Sequence, residues 1–182
     1  NTQWAEYSPV IINNLLYFTS NRNGGKIYGV TGTPFTDLYR VSTQGANVNI
    51  RTLQKLEPII NHPDINEGTM AISSDGASIV FAKGNTGKAT GNNEVNLYFT
   101  RFRNGQWLAP RPLGINVADS WDSTPAFTPD GTTLYFSSTR PGGYGGADIY
   151  SAQLNRRGRW VDVQNLGPQI NTPGDEMFPF VS

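Results

Sequence analysis

The stretch "TPAFTPDGTTLYFSSTR" (residues 124–140) sets an apolar run on either side of an Asp-Gly dipeptide. Asp-Gly accepts the positive φ that tight hairpins demand. The flanking runs alternate apolar and polar residues, as half-buried strands do. The stretch therefore predicts a β-hairpin, and it has two counterparts. "SPVIINNLLYFTSNR" (8–22) repeats the Pro, a turn (here Asn-Asn) and an aromatic strand ending in Arg. "TMAISSDGASIVFAK" (69–83) keeps the Asp-Gly turn and the strand but has Met70 in place of the Pro.

Further signatures follow each hairpin. "DLY", "NLY" and "DIY" begin at Asp37, Asn96 and Asp148, and "GQWLAPRPLG" (105–114) matches "GRWVDVQNLG" (158–167). "LEPIINHP" (56–63) matches "LGPQINTP" (166–173), which phases the units at Asn1, Asn61, Asn116 and Asn171. The repeats are thus 1–60, 61–115, 116–170 and a partial 171–182, whose residues align without a gap to the first twelve. Each full unit reads as four short strands, the fourth beginning near Trp107 or Trp160, with Ile50 in that place in the first unit. No segment carries a sustained helical period.

A repeat of this length holding four antiparallel strands predicts an all-β chain built as β-propeller blades, which stack because one blade alone cannot bury both faces. Three blades and one further strand are few for a closed ring. Two readings stay open: a fragment of a ring of about six to eight blades, or two copies associating as a homodimer to close one. The fragment is preferred, and an opening without an initiator Met reads as a processed or excised piece.

Bulk properties narrow the function. Fourteen basic and fourteen acidic residues cancel, so no global field favours nucleic acid or an anionic membrane. No cysteine is present, which removes disulfides and thiolate metal sites. No stretch approaches the roughly 18 apolar residues of a membrane helix.

The whole chain, most closely its third unit, resembles the TolB-type (WD-like) β-propeller repeat of bacterial envelope proteins. The resemblance is closest to the version in OmpA-family lipoproteins, among them PorE-type components of the type IX secretion system. The second unit departs by having "AKGNTGKATGNN" for "SSTRPGG", and the first by a shorter hairpin and a longer loop before Asp37. The resemblance implies a non-catalytic scaffold in the periplasm or at the outer membrane, binding protein partners of the envelope. Rival readings are a propeller that gates or forms a hydrolase, of the prolyl-oligopeptidase or glycosidase kind, and a self-associating structural protein.

The glycines of "RPGGYGGADIY" (140–150) suggest a phosphate cradle, but such a cradle opens a helix, and this one leads into a strand. It reads as a strand-connecting loop, with Arg140, Tyr144 and Arg22 as candidate partner contacts. Glu6, Glu67, Asp122 and Glu176 share one repeat position, three residues before Pro9, Met70, Pro125 and Pro179. Such acids either ring a channel mouth, holding a cation or the positive end of a peptide, or accept backbone N–H bonds and lock the blade junctions. Asp75 and Asp130 read as turn residues, and Asp37, Asn96 and Asp148 as groups bonding a neighbouring loop. His62 is the single histidine, which argues against zinc and a Ser-His-Asp triad. Trp107 and Trp160 read as packing between blades. No cofactor, metal site or catalytic residue is expected.

Overall fold

The computed structural model describes residues 3–22, 26–29, 32–84 and 94–181. Within them the fold is all-β, with antiparallel sheets and no helix. The first sheet begins with β1 (Glu6–Ile12) and β2 (Leu15–Ser20), joined at Asn13 and Asn14, whose φ of 50° and 60° suit a tight hairpin turn. A small hairpin, β3 (Ile27–Tyr28) with β4 (Thr33–Pro34), interrupts the connection to β5 (Asp37–Gln44) and β6 (Asn47–Lys55). The sheet order is β1-β2-β5-β6.

The second sheet runs β7 (Asn66–Ile72), β8 (Ser78–Gly84) and β9 (Val95–Arg103). Its outer position is split between β10 (Gln106–Trp107) and β11 (Arg111–Pro112), both paired with β9. Pro110 and Pro112 account for the split, since proline gives no N–H to a ladder. The third sheet is β12 (Asp122–Phe127), β13 (Thr133–Ser138), β14 (Asp148–Leu154) and β15 (Trp160–Asn165), in that order.

Two apolar cores join the sheets in series. Tyr17, Leu38, Leu56 and Ile60 of the first pack against Met70, Ile72, Ile79, Phe81 and Trp107 of the second. Val80, Ala82, Leu97 and Ile115 pack against Leu134, Phe136, Tyr150, Ala152 and Trp160 of the third. Strand β8 serves both: Ile79 and Phe81 face one way, Val80 and Ala82 the other, so the period of two makes an unbroken apolar run sensible.

The first strand of each of the three large sheets carries a bulge, between Tyr7 and Val10, Glu67 and Met70, and Ser123 and Ala126. Hydroxyls at these bulges tie neighbouring sheets together. Ser8 Oγ accepts from the Met70 amide at 3.1 Å, Thr69 Oγ1 from the Thr124 amide at 2.9 Å, and Thr124 Oγ1 from the Phe178 amide at 3.3 Å. Ser8, Thr124 and Phe178, each preceding a proline, have φ of 55°, 45° and 59°. Thr69 precedes Met70 and is not among the positive-φ residues. The proline supplies no amide, so in the third and partial units the residue before it donates, whereas Met70 uses its own N–H. Residues 171–181 form no ladder, yet the Phe178 bond places them against β12 as β12 lies against β7.

Candidate functional site

The recurring acids fall at the start of each sheet, and three of them meet a cation from the end of the next strand. Glu6 binds Arg22 at 2.9 Å, Glu67 binds Lys83 at 3.0 Å, and Asp122 binds Arg140 at 2.8 Å. The register explains this: β1 pairs Glu6 with Ser20, and β12 pairs Asp122 with Ser138, so an Arg two residues further on reaches back. Lys83 instead pairs in register with Glu67.

Each arginine also lies over a pair of stacked aromatic rings. Arg140 lies 4.9 Å from the ring centres of Phe136 and Tyr150, and its Nε donates to Ser138 at 2.8 Å. Arg22 repeats this over Phe18 and Tyr39, with Ser20. Stacked, forked and paired, these guanidiniums are fixed in place. The sequence showed Arg22 and Arg140 as loop-end residues; their pairing with Glu6 and Asp122 spans 16 and 18 positions and needs the strand register to be seen.

The acids also hold backbone. Asp122 Oδ2 accepts from the Val117 amide at 3.0 Å and Glu67 Oε1 from the His62 amide at 3.1 Å. Glu176 accepts from the Thr172 amide at 2.9 Å and from the Thr172 hydroxyl. All four therefore engage the scaffold. Glu67 and Asp122 are fully buried, whereas the Glu6 side chain is one-third exposed.

The repeat-marking asparagines act as pins. Asn61 accepts from the Leu38 amide at 2.8 Å and donates to the carbonyls of Leu38 and Leu56. Asn116 embraces Leu97 and Asn171 embraces Ile149 in the same way. A side-chain amide so placed stands in for a peptide unit just beyond the last rung between a sheet's third strand and its outer one.

The loop of residues 140–147 does gather backbone N–H groups around an anion, and the anion is its own. Tyr144 and Gly145 donate to Asp148 at 2.6 and 3.2 Å, and Ala147 donates to Asp175 at 2.7 Å. The glycines permit this approach: a Cβ on Gly143 would stand 2.3 Å from the Asp148 carboxylate, and one on Gly145 2.2 Å from the Gly174 carbonyl. Gly145→Ala is therefore expected to cost about 1–3 kcal/mol through forced displacement of backbone. Gly114→Ala, with nothing within 4 Å, should stay within about 0.5 kcal/mol; urea unfolding of the two variants measures both. Tyr144 projects from this loop half exposed. Most of the corresponding loop in the second unit lies outside the described residues.

The other titratable groups have local roles. The Ser73 hydroxyl and Ala77 amide lower the pKa of Asp75, and the Thr128 hydroxyl and Thr132 amide lower that of Asp130, as turn-closing bonds do. Burial raises the pKa of Asp37, which pairs with Lys55 at 2.7 Å. His62 Nδ1 accepts from the Asp64 amide at 3.2 Å. Among the described residues no cluster of three His, Asp or Glu is placed to hold a metal ion.

One concavity was not visible in the sequence, because it is assembled from separate units. A cavity of about 350 Å³ opens among the first strands of all three sheets, the β3–β4 hairpin and residues 177–178. Its lining is mainly apolar, with Tyr7, Tyr28, Pro34, Trp121, Met177 and Phe178 prominent. Trp121 is 46% exposed and Phe178 65%, so their faces are available at the rim.

No family model matches the chain, and no curated protein does. Solved structures do. TolB from Acinetobacter baumannii matches with a TM-score of 0.56 at 18% identity over 92% of this chain and 33% of its own. A Mycobacterium tuberculosis puromycin-hydrolyzing peptidase matches at 0.55 and 14%, over 91% of this chain and 22% of that one. A puromycin hydrolase matches at 0.54 and 15%, over 87% and 23%. The chain thus spans about a third or less of these proteins. Together with three antiparallel sheets stacked through shared cores, the likeness makes the described chain a segment of a β-propeller.

Proposed function

We propose that this propeller segment is a non-catalytic scaffold that binds a protein partner at the cavity bordered by Trp121 and Phe178. The observation that carries the reading is the pairing of exposed aromatic faces with a concave apolar floor on a rigid frame. The recurring charges support it from the other side, since Glu6, Glu67, Asp122, Arg22 and Arg140 are spent on the scaffold itself. The structural likeness to TolB and the repeat's resemblance to envelope propellers support a periplasmic or outer-membrane-associated setting, within an OmpA-family or secretion-system lipoprotein. Tyr144, exposed on the glycine loop, is a second contact point.

Photo-crosslinking residues placed at Trp121, Phe178 and Arg103 test this in bacteria producing the protein. One protein captured from Trp121 and Phe178, and absent from the exposed control position Arg103, is the expected result. Equal capture from all three, or none, overturns the reading. The likeness to puromycin-hydrolyzing peptidases is as close as that to TolB, so the competing reading is the propeller of a hydrolase. Peptide cleavage by the purified protein would decide for it.

A further inference from the structure

The three acid–cation pairs are built alike but not finished alike. In the third sheet Asp122 gives one oxygen to the Arg140 guanidinium and the other to the Val117 amide, so both are used. In the second sheet the Lys83 ammonium and the His62 amide both converge on Glu67 Oε1. Glu67 Oε2 is buried and has no hydrogen-bond partner. The cation serves one oxygen in both sheets; the difference is the backbone amide, which reaches the second oxygen of Asp122 but joins the cation on the first oxygen of Glu67. Lys83 is further committed to the Ile60 carbonyl at 3.0 Å, as Arg140 is to Ile115 at 3.1 Å.

A buried carboxylate oxygen without a donor penalises the ionised form more than the protonated one. We propose that Glu67 makes the junction between the first and second sheets a proton-sensitive joint, tighter with a proton on Glu67 and looser once it has left. The position suits such a role. Residues 57–62 close the first sheet and receive Lys83 and Glu67, while Gly68 and Thr69, next along β7, line the cavity. Thr19 and Ser8 of the first sheet bond the same stretch through Gly68 and Met70. The protonation state of one side chain is thereby coupled to the seam on which the cavity wall is mounted.

The charges facing Glu67 are Lys83 from β8, which favours ionisation, and Asp37 from β5, which opposes it. Asp37 is itself paired with Lys55 of β6, and His62 stands at the junction. Burial is the largest influence and outweighs Lys83, carrying the Glu67 carboxyl from 4.5 up to about 7. A folded midpoint above the unfolded one means that the native state keeps a proton which the unfolded chain has released. The contribution of Glu67 to stability is therefore fully present below pH 4.5 and is lost as the pH rises through about 7.

Two measurements test the joint. Carboxyl-carbon NMR of the wild-type protein should show Glu67 titrating near neutrality, and Lys83→Met should move that midpoint higher still. Denaturant unfolding from pH 5 to 8 should show the folding constant falling, by at most about tenfold per pH unit. Glu67→Gln should remove that fall, and His62→Gln should leave it in place. A Glu67 midpoint in the ordinary carboxylate range overturns the proposal, as does an undiminished fall in Glu67→Gln or its disappearance in His62→Gln. Because the NMR readout uses the unaltered protein, it decides the matter even where a variant fails to fold. None of these outcomes depends on partner binding.

Discussion

Replacing Asp122 by alanine is expected to destabilise the protein by about 3–5 kcal/mol, the usual cost of removing one partner from a buried ion pair. The substitution leaves Arg140, only 10% exposed in its side chain, without its counter-charge over two aromatic rings. It also strips the Val117 amide of its acceptor. The same change at Glu6 should cost less than about 1 kcal/mol. Glu6 occupies the same repeat position and binds the same type of partner, but its side chain is 32% exposed and water can replace it. Urea midpoints of the two variants measure the contrast. Similar losses at both positions would mean that burial is not what sets the strength of these pairs.

Replacing Asn61 by alanine is the second large effect. The Leu38 carbonyl keeps its bond from the Leu56 amide, whereas the Leu38 amide and the Leu56 carbonyl lose their partner. Each group left unpaired in the interior costs about 1–3 kcal/mol. Asn61→Asp retains the acceptor but turns the donor into a charge, and should not rescue stability. Thermal unfolding of both variants, with protection of the Leu38 amide followed by hydrogen exchange, checks the assignment. A Leu38 amide that stays protected in Asn61→Ala would show that another acceptor serves it.

Much of the fold was legible because local rules and tertiary structure agree here. "TLYFSS" and "DIYSAQL" are strands over the stretch read from the sequence, since their alternation is the alternation of buried faces. The turn at Asn13–Asn14 is likewise a matter of local φ preference. The fourth strand of the second unit was less legible, because prolines divide it into two short pairings. The β3–β4 hairpin passed unnoticed within a glycine-bearing loop, its two-residue strands being too short to show a period.

The site was legible only in part. The sequence displays the acids at one repeat position but not their partners, since Arg22 and Arg140 become neighbours of Glu6 and Asp122 only through register. Asn61, Asn116 and Asn171 marked the phase of the repeat without revealing that they replace peptide groups. The cavity gave no linear signal, as Tyr7, Trp121 and Phe178 come from three different units.

The hydroxyl contacts at the bulges have an evolutionary consequence. In each, the acceptor belongs to the earlier unit and the donor to the later one: Ser8 to Met70, Thr69 to Thr124, Thr124 to Phe178. The contact is heterologous, so the second and third units each carry both halves of it, while the partial unit, with Phe178 in place of the hydroxyl, carries only the donor. A gene segment duplicated in tandem therefore inherits a working seam at both borders. An array of this kind lengthens by copying, with no new interface to be invented, and accepts the copy in one orientation only.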